Sequence, residues 1–187
     1  MAALQKRIKG WISIFPEKNK AMPGFDWSKF SVAINIVSTR DKIYRAWATQ
    51  GGIEEWFLRL SEFRHNDGTL LMHYEEIKPG DTYKWLWHGW PDETVENGKI
   101  IEANGVDLIK FSFGKAGICT VTIKPLKDEY IVQLKQEEIP DTEEGRHNWH
   151  VGCKTGWTFY LANMKSLLEG GIDLRNKDLA MMELLNK

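Results

Sequence analysis

The longest stretch of this sequence that can form one uninterrupted helix lies near the C-terminus, at residues 143–170. Its apolar residues recur three and four positions apart, which is the pattern of an amphipathic helix; they are Val151, Trp157, Tyr160, Leu161, Met164, Leu167 and Leu168. At about 1.5 Å per residue, such a helix runs roughly 40 Å, which exceeds the usual span of a small domain. Asp141 or Thr142 can cap its start, and Gly170-Gly171 ends it. The rest of the chain must therefore pack along one long helix.

The residues before this helix carry mostly strand and turn signals. Residues 28–37 alternate apolar and polar side chains, which predicts a first strand. Two short helical segments follow, at residues 42–49 and 53–60, and we interpret Gln50-Gly51-Gly52 as the end of the first. Turn signals then divide residues 61–138 into about six strands; they are Asp67-Gly68, Pro79-Gly80, Asn104-Gly105, Lys115-Ala116-Gly117 and Lys127-Asp128. In particular, residues 69–77 are predicted to pair with residues 61–65 in a hairpin. Strands joined in this way form an antiparallel meander.

The overall composition is that of a single globular domain. The 187 residues are 42% hydrophobic and 27% charged, with a net charge of -1, so we expect neither a nucleic acid nor a membrane as partner. No apolar run approaches the roughly 18 residues of a membrane span. The apolar patch at residues 11–15 is too short for the core of a signal peptide. Cys119 and Cys153 lack the spacing of metal ligands and are expected to be reduced thiols. The reduced thiols, with no pattern of a membrane span or a signal peptide, predict a cytoplasmic protein.

The chain divides into three parts by these patterns. Residues 1–27 form an N-terminal extension, residues 28–175 form the domain, and residues 176–187 form a tail with the pattern of a short helix. No linker separates a second domain. Either a monomer or a homodimer is compatible with the sequence, and the extension could exchange between subunits.

Three segments carry a resemblance to a known family. They are IYRAWATQGGIEEWF at residues 43–57, the pair GKIIEA and LIKFSF at residues 98–113, and GWTFYLANMKSLLEGGIDLR at residues 156–175. These segments resemble the activator of Hsp90 ATPase homologue 1-like branch of the START/Bet v1-like (SRPBCC) superfamily. The resemblance implies an α+β helix-grip fold, in which a curved antiparallel sheet of six or seven strands wraps a long C-terminal helix, with two short helices after the first strand. It also implies a cavity between sheet and helix for an apolar or amphipathic small molecule, and it carries over no catalytic residue, metal or cofactor.

An aromatic set provides the candidate ligand-binding residues. The chain has nine tryptophans, and wide rings suit pocket walls as well as cores. If the inward faces of the strands meet the long helix, these side chains gather beneath it; they are Trp56, Tyr83, Trp85, Trp87, Phe111, Phe113, Trp157, Tyr160 and Met164. The alternative interpretation is a plain hydrophobic core.

Polar groups offer weaker candidates. His73 and Glu75 are expected two apart on one strand face, where they could orient a ligand or act as an acid/base pair. His147 and His150 are interpreted as surface histidines because no metal-ligand motif surrounds them. Cys153, with His150 one turn earlier, is interpreted as a small core residue and not a nucleophile, since it lies several residues inside the helix, away from the N-terminus that would lower the pKa of its thiol.

The sequence therefore predicts a non-catalytic protein that binds an unidentified apolar small molecule or has a regulatory role. Two alternatives remain open. One is a chaperone partner that activates the Hsp90 ATPase, as the family's name suggests. The other is an enzyme of the cyclase or hydratase kind, which would need an acid/base pair in the cavity, and His73, Glu75 and Tyr83 are its candidates.

Overall fold

The computed structural model describes residues 24–178 and residue 181. Its elements are β1 (Phe30–Ile36), α1 (Arg40–Ala48), α2 (Gln50–Trp56), β2 (Leu60–Arg64), β3 (Thr82–Leu86), β4 (Val95–Ala103), β5 (Leu108–Ser112), a 3₁₀ turn (Gly114–Ala116), β6 (Ile118–Leu126), β7 (Glu129–Glu137), a π-helical segment (Gly145–Gly152) and α3 (Cys153–Leu168). The π-helical segment runs directly into α3, and the two are called the C-terminal helix below.

The seven strands form one antiparallel sheet in the order β1-β7-β6-β5-β4-β3-β2. Strands β2 to β7 lie side by side in sequence order, and β1 forms the other edge of the sheet by pairing with β7. The C-terminal helix lies across the concave face, and α3 contacts β1 and α2. This arrangement is the predicted helix-grip fold, which buries the concave face of the sheet under one helix.

Several local predictions are confirmed by the strands and turns. Phe30 and Ile36 are buried at the two ends of β1, while the alternate positions Ser31 and Ala33 are exposed. The β4–β5 hairpin turns at Asn104-Gly105, where the Asn104 side-chain oxygen accepts three backbone N–H groups and Gly105 has a φ of +73°. Such a left-handed conformation favours glycine.

The predicted hairpin at Asp67-Gly68 is wrong in its second half. The turn forms, but β2 pairs with β3, so residues 69–77 make only isolated bridges. These residues instead pack on the helices: Gly51 N donates to His73 O at 2.9 Å and Ile77 N donates to Ala48 O at 2.9 Å. Because these backbone groups are satisfied by α1 and α2, the segment has no need of a strand partner.

The two short helices differ from prediction at their junction. Thr39 caps α1, since its hydroxyl accepts from Lys42 N at 3.2 Å. However, Gln50-Gly51-Gly52 begins α2 instead of only ending α1, with Thr49 as its cap. A Cβ at Gly52 would lie 2.1 Å from Arg45 O. Glycine at this position therefore permits the close approach of the two helices. The sequence pattern does not reveal this, because the same glycine pair can mark the end of one helix or the start of the next.

The long helix is confirmed, but its first two turns have π geometry. Thr142 caps it through Gly145 N at 3.0 Å. Because a π-helix takes more residues per turn than an α-helix, the predicted stripe loses its phase here, and Val151 is 48% exposed. The stripe holds along α3, where Trp157, Tyr160, Leu161 and Met164 are buried.

The ends of the chain are described only in part. Phe25 and Trp27, from the predicted extension, pack their rings on His150 at centroid distances of 5.3 and 5.1 Å. Residues 1–23, 179–180 and 182–187 lie outside the described residues, so the predicted tail helix is not placed. No helix within residues 24–178 is long and apolar enough to cross a membrane.

Candidate functional site

A pocket of about 720 Å³ opens between the C-terminal helix and the connection from β3 to β4. Eight of its fourteen lining residues are aromatic. The lining consists of Phe57, Trp87, Trp90, Thr94, Phe113, Asn148, Trp149, Gly152, Cys153, Thr155, Gly156, Trp157, Phe159 and Tyr160. A concave, mostly apolar space of this size is typical of sites for small molecules.

The helical wall owes its depth to small residues. Gly152 and Gly156 lie between Trp149 and Tyr160 along this wall. A Cβ at Gly156 would have no neighbour within 4 Å, and one at Gly152 would meet only His147 O at 3.6 Å. Packing therefore does not require glycine at either position, and the missing side chains leave space that the pocket occupies.

The opposite wall is a loop held in place by an arginine. Arg59 Nε donates to Trp87 O at 3.3 Å, and its guanidinium pairs with Asp92. Thr94 N donates to Pro91 O at 2.9 Å, which closes the turn before β4. Trp90 lies at the mouth and is 43% exposed. The loop thus presents aromatic rings from a fixed backbone.

The inner wall is an aromatic cluster oriented by one buried glutamine. Phe57 lies 4.9 Å from the Trp157 ring and 4.7 Å from the Tyr160 ring, between centroids. Trp157 Nε1 donates to Gln136 Oε1 at 3.0 Å, and Gln136 Nε2 donates to Ala116 O at 2.8 Å. Since Gln136 is fully buried, these bonds give the indole one orientation.

The structure divides the predicted aromatic set between pocket and core. Trp87, Phe113, Trp157 and Tyr160 line the pocket. The other members do not line it: Trp56, Tyr83, Trp85, Phe111 and Met164 are all buried in the core. The space directly beneath the middle of the helix is filled by these side chains, so the pocket lies at the N-terminal part of the helix.

The predicted polar candidates lie elsewhere. His73 is exposed and belongs to the irregular segment after β2, so the expected strand face for His73 and Glu75 does not exist. Glu75 instead pairs with His65 Nε2 at 3.2 Å, and His65 Nδ1 lies 3.1 Å from Asp81. Tyr83 directs its hydroxyl to Ser112 O at 2.5 Å. The structure therefore does not bring His73, Glu75 and Tyr83 together in the pocket as an acid/base set.

The expectation for the helix histidines is wrong for one of them. His147 is exposed as expected, but His150 is 2% exposed, and its Nδ1 donates to Trp27 O at 2.9 Å. The π geometry turns His150 inward toward Phe25, Trp27 and Phe30. Among residues 24–178, no group of three or more His, Cys, Asp or Glu side chains is placed to hold a metal ion.

Cys153 lies in the pocket wall with its thiol largely enclosed. Burial raises its pKa; the hydrogen bond with Gln136 acts in the opposite direction, and the charge of Glu96 raises the pKa further. The protonated thiol therefore prevails at neutral pH, as expected for a residue that packs and does not attack.

The sequence prediction missed one acidic side chain next to the pocket. Glu96 lies opposite Trp85 in the β3–β4 pair, so both side chains occupy the concave face. Its Oε1 is buried and has no hydrogen-bond partner. Burial raises the pKa of Glu96 to about 7, against the effect of a hydrogen bond from the Gly114 backbone. Extending the alternation of Gly98 and Ile100 two residues back would have placed Glu96 on the inward face.

Comparison with solved structures shows the same fold in proteins of low sequence identity. Protein SSP2350 from Staphylococcus saprophyticus has a TM-score of 0.61 and 19% identity, over 79% of this chain and 96% of that one. The Aha1 dimer from Colwellia psychrerythraea has a TM-score of 0.60 and 16% identity, over 76% and 97%. No curated protein matches the sequence.

A family model provides the stronger assignment. The model described as activator of Hsp90 ATPase homolog 1-like protein matches residues 38–169, which is more than half of the chain. The match includes the first two helices, all strands after β1 and the whole C-terminal helix. The chain therefore belongs to the activator of Hsp90 ATPase homolog 1-like family, within the START/Bet v1-like superfamily.

Proposed function

We propose that this protein binds an apolar or amphipathic small molecule in the pocket beside the C-terminal helix. The observation that carries the proposal is the 720 Å³ space with eight aromatic lining residues. Small-molecule sites usually measure roughly 300–1,000 Å³ and combine apolar walls with few polar groups. Family membership supports a ligand-binding or regulatory role in general terms.

The fixed walls also support binding. Gln136 orients Trp157, and Arg59 holds the backbone of the opposite loop. A pocket that is already formed loses little conformational entropy when a ligand enters, which favours affinity. The glycine positions on the helix add a further argument, because Gly156 contributes space to the pocket that no neighbour fills.

A steric block tests the proposal. We expect Nile red to bind the wild-type protein with a blue-shifted emission, and the Gly156→Phe variant to bind at least tenfold more weakly. The added ring would occupy the pocket without meeting another atom near its Cβ. Thr158→Phe is the matched control, since Thr158 is exposed on the same helix and does not line the pocket.

Two results would contradict the proposal. One is the absence of binding to the wild-type protein by Nile red and by a panel of fatty acids and flavonoids. The other is equal binding by the Gly156→Phe and Thr158→Phe variants, which would place the dye outside the pocket. Circular dichroism of both variants confirms that they are folded.

The family description favours one second candidate, stimulation of the Hsp90 ATPase. In that case the protein would raise the ATP turnover of Hsp90, and the effect would depend on the protein's surface. Gly156→Phe would then leave stimulation unchanged, whereas a ligand-dependent role would make it sensitive. An ATPase assay with and without the variant separates the two functions.

A further inference from the structure

Glu96 lies immediately behind the wall of the pocket. Thr94 lies two residues earlier, in the turn before β4, and Phe113 precedes the glycine that the carboxylate contacts; both residues line the pocket. A Cβ at Gly114 would lie only 2.8 Å from Glu96 Oε2, so the carboxylate is packed on this turn. The charge of Glu96 also raises the pKa of Cys153, on the helical wall. The carboxylate is therefore close to both walls.

The pocket holds no opposite charge for this carboxylate. No lysine or arginine is among the described residues that line it, and Glu96 forms none of the ion pairs found in residues 24–178. Burying a carboxylate without a partner is costly, and the buried Oε1 lacks any hydrogen bond. In agreement, burial raises the pKa of Glu96 to about 7. The fold thus gives this acid a backbone hydrogen bond from Gly114 but no positive charge.

The aromatic walls suit a positive charge as well as an apolar body. The faces of tryptophan, tyrosine and phenylalanine rings attract cations, and desolvated cation–π contacts are worth about 2 kcal/mol. Trp87, Trp149 and Trp157 approach the pocket from three sides. Aromatic rings next to one carboxylate form an environment that favours ammonium groups over neutral or anionic ones.

We propose that the ligand of this pocket is a hydrophobic organic cation, an amine whose apolar body packs on the aromatic rings and whose ammonium pairs with Glu96. This inference rests on the proposed function, because it assigns a ligand class to the same pocket. The ammonium supplies the partner that Oε1 lacks. A carboxylate ligand would be repelled by Glu96, and a neutral alcohol would gain only a hydrogen bond.

A matched ligand series tests the charge preference. The probes are 1-naphthylmethylamine, 1-naphthalenemethanol and 1-naphthoic acid, which share one ring system and differ in the head group. At pH 8 we expect calorimetry to show that the amine binds at least tenfold more tightly than the alcohol, and the alcohol more tightly than the acid. The affinity for the amine should rise between pH 6 and pH 8 as Glu96 loses its proton.

A pair of variants assigns the preference to Glu96. Glu96→Gln keeps the shape and removes the charge, so we expect it to bind the amine at least tenfold more weakly and the alcohol within twofold of the wild type. Glu102→Gln is the control, since Glu102 lies on the same strand but is exposed and pairs with Lys110. It should change neither affinity.

The outcomes distinguish this inference from the proposed function. Equal affinity for amine and alcohol, or an amine preference that persists in Glu96→Gln, overturns the cation assignment and leaves the pocket as a binding site. Binding of Nile red without binding of the amine overturns it too. Absence of binding by Nile red and by all three probes overturns the proposed function itself.

Discussion

Arg175 ties the end of the described chain to α2, and its removal gives the sharpest test of how this fold is held. Its side chain is 1% exposed. The guanidinium donates to Glu54 O at 3.0 Å, to Leu58 O at 3.1 Å and to Glu55 O, and pairs with Asp173 at 2.7 Å. These carbonyls belong to the last turn of α2 and the residues after it, so the arginine caps a helix C-terminus from a distant part of the chain.

The magnitude follows from what Arg175→Met leaves behind. Methionine keeps an apolar stem but removes every donor, so three carbonyl groups lose their charged partner, at about 1–3 kcal/mol for each that stays dry. Water can reach some of these carbonyls, and Asp173 keeps Lys177 at 2.8 Å. We therefore expect a loss of about 3–5 kcal/mol in the free energy of unfolding, the range found for broken buried ion pairs.

The assay is urea unfolding followed by tryptophan fluorescence, with Lys177→Met as the matched control. Lys177 also pairs with Asp173, but its side chain is 51% exposed, so its removal should cost less than about 1 kcal/mol. Arg175→Lys should recover only part of the loss, because lysine lacks the planar fork of donors. If Arg175→Met unfolds within 1 kcal/mol of Lys177→Met at an equal m-value, the capping argument is wrong.

Three further predictions follow from buried polar groups. Burial raises the pKa of Glu96 from its ordinary value of 4.5 to about 7 in the folded protein, so its contribution to stability is present below pH 4.5 and lost as the pH rises through 7. In urea unfolding at pH 8, we expect Glu96→Gln to be about 1–2 kcal/mol more stable than wild type, allowing for the partial exposure of Glu96. This difference should shrink at pH 5, and a pH-independent difference would contradict the prediction. Iodoacetamide should alkylate Cys153 more slowly than free cysteine and Cys119 only on unfolding, because burial raises the pKa of both thiols. Bound Nile red should slow the alkylation of Cys153 further. Peptide mass mapping identifies the modified thiol, and rapid labelling of Cys119 in the folded protein would refute the burial argument. Gln136→Leu should lower the free energy of unfolding in urea by about 2–4 kcal/mol, since it leaves Trp157 Nε1 and Ala116 O buried without partners. The control Gln133→Leu, at a partly exposed position of the same strand, should lower it by less than about 1 kcal/mol. Similar losses in the two variants would show that the buried hydrogen bonds of Gln136 do not stabilise the fold more than exposed ones.

Sequence patterns predicted the elements whose signals are local. Alternation in β1, the Asn104-Gly105 turn and the apolar stripe of α3 each depend on a few adjacent residues, and the structure confirms them. The family resemblance implied the helix-grip architecture, and the order of elements agrees with it, because a curved sheet with one long helix has few ways to bury its apolar face. The segment at residues 69–77 was mispredicted because its backbone partners lie on α1 and α2, which a local pattern does not reveal.

The site was predictable only in outline. Four of the nine predicted ligand-binding residues line the pocket, but aromatic composition does not distinguish a pocket wall from a core position. Trp149 was missed because the π-helical segment changes which residues share a face with Tyr160. Phe159 was missed because it lies outside the apolar stripe of α3. Glu96 was missed because the predicted strand began at Gly98, two residues after the carboxylate.

The sequence by itself determined the family, the elements and the apolar faces that must meet, since these depend on residue types and their spacing. Only the tertiary structure decided where space remains between those faces. Buried rings from β3, β5 and α2 fill the middle of the concave face, while Gly152 and Gly156 leave its end open. Whether an aromatic ring packs against another ring or faces an opening depends on residues far apart in the chain. The position of the Glu96 carboxylate beside the pocket is likewise decided by neighbours on other strands and on the helix.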